Sequence, residues 1–324
     1  MSTLFFVLAF MIVALLVYMG RYSGRVRAEA SRFIAAPPEA IQARVADLAQ
    51  WQAWNPWLEH AREASARLDG DTLAWDVPPV GRGCVRRLQA LRQRLEFDLP
   101  FAFRGRSDWL LEPAPGGTRV TWRFKGRVAF TLRAFSSTVQ GATALDLRFG
   151  LDRLAATLEA TPPAYVLDYA GVQSQPVRLC AQQLYRGPLD TLAAELPPQI
   201  TGVRAKLAVA ELPADGAAIV HYLKTQLKLR IIDCRVGVEL PQATDLPNVP
   251  YGLTAHELPA HEAYVLRFDG MPEALELAWY QAMQRLRIEQ RQPHPQMPPY
   301  ARYLSDPVQG QRGAVELYLP IKTG

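Results

Sequence analysis

The chain has 324 residues, of which 49% are hydrophobic and 21% charged, with a formal net charge of +5. That length exceeds one small core and suits two domains, and the apolar fraction excludes an intrinsically disordered chain. Three scattered cysteines, Cys84, Cys180 and Cys234, supply neither a disulfide framework nor a metal-ligand spacing, and agree with a reducing compartment.

The first element is "LFFVLAFMIVALLVYM", residues 4–19, which has no charge and no proline. With its neighbours it approaches the roughly 20 residues that cross a bilayer. Residues 1–22 are therefore expected to be a transmembrane anchor, inserted through residues 3–20. A cleaved signal peptide is the rival reading, since "AEA" at 28–30 is a small-x-small site. Arg21, Arg25 and Arg27 lie between the apolar run and that site, which favours an uncleaved single-pass inner-membrane protein with its soluble domains in the cytoplasm. A periplasmic orientation stays open.

Residues 31–160 read as one α+β unit. "AAPPEAIQARVADLAQWQAW" places Pro at a helix start, followed by Ile41, Val45 and Leu48 at helical spacing. Strand-like runs follow in "TLAWDV", "RLEFDLPFAF", "SDWLLEP" and "TRVTWRFKGRV", with "PAPGGT" as a turn. A long helix is expected over 137–159, with Leu147, Leu151, Leu154 and Leu158 on one stripe. Trp51, Trp54 and Trp57 recur every three residues and read as a structural plug.

Charge is uneven along the chain. Residues 1–169 hold 21 Lys+Arg against 16 Asp+Glu, whereas residues 170–324 hold 15 of each. Taken singly, each arginine reads as part of a solvated face. Beside a membrane, Arg82, Arg86, Arg87, Arg92 and Arg94 would suit anionic headgroups. No nucleic-acid-binding signature is present, so nucleic acid is not expected as a partner.

"EATPPAYVLDYAGVQSQP" lacks a clean period, and residues 161–176 are expected to be a linker. The remainder, 177–324, contains an internal repeat. "YRGPLDTL" at 185–192 matches "FDGMPEAL" at 268–275, and "HYL" at 221–223 matches "RYL" at 302–304. "RVGVELP" and "GAVELYLP" close the two copies. Each copy reads strand, helix, strand, strand. In the second copy Leu275, Ala278, Trp279, Ala282 and Leu286 form the helix stripe, and in the first Pro197 and Pro198 are expected to end the helix early.

Two family resemblances rest on these segments. "IAAPPEAI", "DLAQWQAWNPW", "GGTRVTW" and "FGLDRL" resemble the START-like (SRPBCC, polyketide cyclase/dehydrase-like) helix-grip domains over 31–160. That resemblance implies a sheet curled round the last helix, an apolar cavity, and no fixed catalytic set. "YRGPLDTL", "FDGMPEAL" and "YARYLSDPVQGQRGAVELYLPIK" resemble the GyrI-like effector-binding domain of bacterial transcription activators over 177–324. It implies a cleft between halves that binds hydrophobic, often cationic, small molecules, with a Glu on the last strand among aromatics. By position that Glu is Glu316. No DNA-binding domain accompanies it in this sequence.

The candidate ligand-binding residues are Glu316, Tyr318, its repeat partner Glu239, the repeat-related Tyr222 and Tyr303, and Trp279 and Tyr280 on the second helix. A carboxylate would neutralise a cation, and aromatic faces attract cations and flat apolar ligands. "HELPAHE" spaces its histidines five apart around Pro259, which does not fit a helical zinc pair. No metal, cofactor or catalytic residue is assigned. The expected function is binding or sensing of a hydrophobic or cationic small molecule at the membrane. A hydrolase using Glu316, and a protein-interaction module with degenerate pockets, are the alternatives.

Overall fold

The computed structural model describes residues 2–59, 66–77, 81–98, 102–159, 163–226, 229–242, 252–308 and 310–322. The chain divides into two compact units, Met1–Pro163 and Ala164–Gly324. Each is an antiparallel sheet with helices, an α+β arrangement.

The first helix, α1, covers Ser2–Gly20. It corrects the membrane expectation: among the described residues no helix is long and apolar enough to cross a membrane. The 16 apolar residues of the run 4–19 rise ~24 Å as a helix, short of the ~30 Å hydrocarbon core. The single-pass inner-membrane placement, with cytoplasmic or periplasmic domains hung from a span, falls with it.

The N-terminal unit continues with β1 (Arg25–Ile34), α2 (Pro38–Ala46), β2 (Ala66–Asp69), β3 (Thr72–Val77), β4 (Gly81–Gln89), β5 (Arg92–Phe97), β6 (Phe103–Ala114), β7 (Gly117–Val128) and α3 (Ser136–Leu158). Its seven strands run in the order β1-β7-β6-β5-β4-β3-β2. Alternation puts Val26, Ala28, Trp109, Trp122 and Phe124 inside, against Leu147, Leu151 and Leu154 of α3. The interior is a plug of rings. Trp109 and Trp122 stack at 4.4 Å, Trp51 and Trp54 lie 4.8 Å apart, and Trp57 stacks on Trp75 at 5.9 Å. The indole N–H of Trp51 donates to Val45 O at 2.8 Å. Large rings thus occupy the space where the helix-grip resemblance implied an open apolar cavity.

The C-terminal unit holds β8 (Tyr165–Gln175), β9 (Arg178–Pro188), α4 (Leu192–Val209), β10 (Ala218–Gln226), β11 (Ile231–Leu240), β12 (Thr254–Leu258), β13 (His261–Gly270), α5 (Leu275–Ile288), β14 (Tyr300–Tyr303) and β15 (Gly313–Pro320). The sheet order, β12-β9-β11-β10-β14-β15-β13-β8, is symmetric about the β10–β14 pair. Each copy contributes strand, helix, strand, strand, and each is preceded by a further strand. That leading strand crosses over: β8 pairs with β13 of the second copy, and β12 pairs with β9 of the first. The stretch expected to be a linker therefore contains an edge strand.

Helix α4 runs through Pro197 and Pro198 instead of ending before them. Its buried residues Leu192, Leu196, Ile200, Val203 and Leu207 keep one stripe across the prolines. Packing of that stripe outweighs the backbone hydrogen bonds the two prolines remove.

Candidate functional site

The eight-stranded sheet of the C-terminal unit has two faces of different chemistry. One packs on α4 and α5: Ala181 and Val238 cluster with Val203 and Leu207, and Tyr222 meets Trp279. The opposite face carries charge. Alternation along each strand sorts the candidate residues between the two.

On the charged face six groups alternate in sign. Asp168 Oδ2 lies 3.3 Å from Arg267 Nη1, and Arg267 Nε donates to Glu316 Oε1 at 3.4 Å. Arg302 Nη1 donates to Glu316 Oε2 at 3.5 Å, and Arg302 Nε reaches both oxygens of Glu239 at 3.1 Å. Arg178 Nη1 closes the chain on Glu239 Oε1 at 2.9 Å. The formal charges are three of each sign, so the row is neutral. Tyr318 donates its hydroxyl to Glu316 Oε2 at 2.6 Å, and its ring stacks on Tyr300 at 4.6 Å. Burial first, then the hydrogen bond to Glu316, push the Tyr318 phenol well above its ordinary range. The carboxylates of Glu316 and Glu239 are each 15% exposed and already engaged by arginines. A cation arriving here would have to displace a guanidinium.

Next to this row lies a buried histidine. Gln182 Nε2 and His221 Nδ1 are 2.6 Å apart, so with the amide donating, Nδ1 accepts and Nε2 carries the proton. His221 Nε2 has no hydrogen-bond partner among the described residues, and the same holds for Gln182 Oε1. Burial, reinforced by His256, Arg235 and His261, pushes His221 down to about 3, so it stays neutral. Tyr300 stands 5.2 Å from the His221 ring and its hydroxyl is 3.2 Å from His261 Nε2.

On the helix-covered face, Tyr222 and Tyr303 come from the two central strands and Trp279 from α5. The Tyr222 and Trp279 rings meet edge-on at 4.9 Å. Tyr303 is buried, while Tyr222 and Trp279 are half-buried. Tyr222 OH, Tyr303 OH and Trp279 Nε1 are all shielded from solvent; Tyr222 OH has Tyr303 OH and Trp279 Nε1 as polar neighbours, but none of the three reaches full hydrogen-bond geometry among the described residues. Burial pushes the Tyr222 phenol up to about 12. No carboxylate is part of this trio. Trp279 lies beside the buried stripe of α5, which is Leu277, Ala278, Gln281, Ala282 and Leu286. Tyr280 stands apart, accepting from Gln284 Nε2 at 2.8 Å.

The seven candidates therefore form two groups and one outlier. Glu316, Tyr318 and Glu239 share the charged face, Tyr222, Tyr303 and Trp279 share the other, and Tyr280 joins neither. The sequence reading missed Arg178, Arg302, Gln182 and His221. A signal existed: "HYL" and "RYL" put His221 and Arg302 one residue before the paired tyrosines, hence on the opposite face. "HELPAHE" is extended, with His256 on β12 and His261 on β13, and no metal-holding group occurs among the described residues.

Comparison with known proteins matches parts of the chain. Residues 25–159 match the model of the family described as polyketide cyclase / dehydrase and lipid transport. The chain is 29% identical over 171 residues to the granaticin polyketide synthase bifunctional cyclase/dehydratase of Streptomyces violaceoruber, covering 49% of this chain and 52% of that protein. It thus spans about half the length of that relative. Among solved structures, the EcmrR C-terminal domain is similar at TM-score 0.38 and 15% identity, over 49% of this chain and 99% of that one. SAV2435, solved bound to tetraphenylphosphonium, is similar at TM-score 0.34 and 12% identity, over 48% of this chain and 94% of that one. With its seven-stranded antiparallel sheet and its long final helix, the segment 25–159 is thus similar to the polyketide cyclase / dehydrase and lipid transport family.

Proposed function

We propose that the C-terminal unit binds a hydrophobic small molecule between α4 and α5, over Tyr222, Tyr303 and Trp279. One observation carries this reading: three polar atoms on aromatic rings converge there, shielded from solvent, with one another as polar neighbours and none in full hydrogen-bond geometry among the described residues. Each such atom costs about 1–3 kcal/mol unless something satisfies it, and a ligand oxygen flanked by apolar surface would do so. The resemblance of this half to effector-binding domains points the same way.

The lining favours a neutral ligand over a cationic one. Glu316 and Glu239, the carboxylates expected to hold a cation, lie on the far side of the sheet and are tied to Arg302, Arg178 and Arg267. The hydrolase alternative meets the same obstacle. Tyr318 gives Glu316 a nearby phenol, but the carboxylate is already engaged and the ring is 4% exposed, so little room remains for a water and a substrate.

Calorimetric titration of the full chain with tetraphenylphosphonium and an uncharged tetraphenyl analogue tests this. The uncharged compound should bind at least as tightly, Tyr222→Phe should weaken it about 3- to 10-fold, as expected for one lost hydrogen bond, and Glu316→Gln should leave it unchanged. Strong preference for the cation, abolished by Glu316→Gln, would return the site to the charged face. Turnover of an electrophilic substrate that Glu316→Gln removes while binding survives would establish the hydrolase.

A further inference from the structure

The outward face of the N-terminal sheet carries an unbroken row of five cations. Cross-strand register sets Arg27 opposite Lys125, Lys125 opposite Arg106, Arg106 opposite Arg94, and Arg94 opposite Arg86. Two residues along the strands a second row begins, with Arg25 opposite Arg127 and Arg127 opposite Arg104. Like charges directly opposite one another destabilise a sheet. On the other flank such charges are compensated: Arg123 pairs with Glu29 and Arg92 with Asp108, both at 2.7 Å, and Arg106 shares Asp108 at 3.2 Å. In the rest of the two rows the one acid directly opposite a cation is Glu96, across from Arg104, and it forms no ion pair with it. Arg25, Arg27, Arg86, Arg94, Arg104, Lys125 and Arg127 are all exposed and have no ion-pair partner among the described residues.

Where the rows cross β1, β7 and β6, a hollow of about 620 Å³ opens, lined by Arg25, Arg27, Arg104, Lys125 and Arg127. Its two acids are Glu96 and Asp98, and Asp98 is drawn toward Arg82 at 3.2 Å. The paired glycines Gly105 and Gly126 are also in the lining. The inward side of that pair is occupied by the Phe124 ring, since a Cβ on Gly126 would stand 2.7 Å from its Cζ. No residue of α3 lines the hollow, so it is separate from the space between sheet and helix that the family resemblance emphasises.

The geometry points to this hollow as a binding site for a small polyanion carrying two or more phosphate groups. Its volume falls in the range of small-molecule sites, about 300–1,000 Å³. Neighbouring strands put cations ~4.8 Å apart and the two rows ~6.8 Å apart, spacings that let separate phosphates of one molecule meet separate cations. A flat bilayer surface would touch the rim of such a hollow and leave its cations unmatched. The two rows hold no aromatic residue on which a nucleic-acid base could stack, and the two rings in the lining, Phe97 and Phe103, stack on each other at 4.3 Å.

Titration of the full chain with inorganic tripolyphosphate at low ionic strength tests the assignment. The wild type should bind it, and added salt should weaken binding by screening. A variant combining Arg104→Gln, Lys125→Gln and Arg127→Gln should lose affinity at least tenfold. Its melting temperature without ligand should be unchanged or higher, because repulsion is removed, which separates lost binding from lost folding. Arg86→Gln with Arg94→Gln, further along the row and outside the hollow, should lose threefold or less. No binding by the wild type, or equal losses in both variants, would overturn the site. Tighter binding to phosphatidylglycerol vesicles or to duplex DNA than to tripolyphosphate would overturn the small-ligand assignment in favour of an extended surface. None of these results bears on the pocket proposed in the C-terminal unit.

Discussion

Arg302 and Glu239 belong to different copies of the repeat, yet Arg302 Nε sits 3.1 Å from each carboxylate oxygen of Glu239. The contact crosses the symmetric centre of the sheet, and through Arg302 Nη1 it also reaches Glu316 on the second copy. The two Val-Glu-Leu strands thus present their carboxylates to one guanidinium. Arg302→Gln should leave both carboxylates under-compensated in a half-buried setting. We expect a loss of about 1–3 kcal/mol in the C-terminal unit, below the cost of breaking a fully buried pair because the group is 27% exposed. Urea denaturation of the wild type and variant is the measurement. An effect under a few tenths of a kcal/mol would reduce the row to surface decoration.

Acid should weaken the C-terminal unit through His221. Its folded-state pKa lies near 3, below the ordinary 6.5, so between these values the unfolded chain binds a proton that the folded chain does not. Stability is therefore fully present above about pH 6.5 and is lost as pH falls toward 3, with a slope approaching 1.36 kcal/mol per unit for this group. His256 and His261 are shifted in the same direction, chiefly by burial, and add to the upper part of that window. His221→Gln keeps a polar partner for Gln182 and removes the titration. Its stability should fall less steeply between pH 6.5 and 4.5 than that of the wild type; parallel profiles would mean that His221 is not the group responsible.

Removing an unsatisfied hydroxyl should help the unliganded protein. Tyr303→Phe deletes a buried oxygen whose polar neighbour is the Tyr222 hydroxyl and which reaches no full hydrogen-bond geometry among the described residues. The substitution is expected to raise the stability of the ligand-free C-terminal unit by up to about 1 kcal/mol, the reverse of the usual sign for a buried Tyr→Phe. Thermal melts without and with the bound hydrophobic compound check it, since the same change should reduce the ligand-induced rise in melting temperature.

Two glycines of α3 should respond in opposite directions to alanine. Nothing lies within 4 Å of a Cβ on Gly141, so Gly141→Ala should gain about 0.5–1 kcal/mol from helix propensity. At Gly150 the new carbon would meet Trp122 Cζ3 at 2.7 Å and Pro56 Cδ at 2.9 Å. Overpacking there should cost about 1–3 kcal/mol, more than propensity returns. Denaturation followed by near-ultraviolet dichroism reads both, because Trp122 stacks on Trp109 and a displaced ring alters that signal.

The repeat was legible because its strands alternate cleanly: Val315, Leu317 and Leu319 announce one face, and Glu316 and Tyr318 the other. What alternation within one strand cannot give is register between strands, and register decides which residues meet. Glu316 and Tyr303 therefore read as members of one cleft although β14 turns Tyr303 to the helices and Arg302 to Glu316. β8 escaped notice for a related reason. As an edge strand interrupted by Gly171 at φ +77°, it buries only its ends and shows no period in hydrophobicity. The N-terminal run misled in a different way, since apolar composition continued almost, but not quite, to the length of a bilayer.

The crossed leading strands have a consequence for how the protein is made. β9 has β11 on one side, but its other side stays open until residue 258 has been synthesised, and β8 waits for residues 261–270. A half-finished chain leaving the ribosome thus carries an unpaired β8 and bare edges on β9 and β10 that only the second half can cover. Neither copy can close its sheet alone, so the sheet of the C-terminal unit is completed only once its second half has been made. The interval between Leu240 and Tyr303 is when the nascent chain is most exposed to pairing with a neighbour instead of with itself.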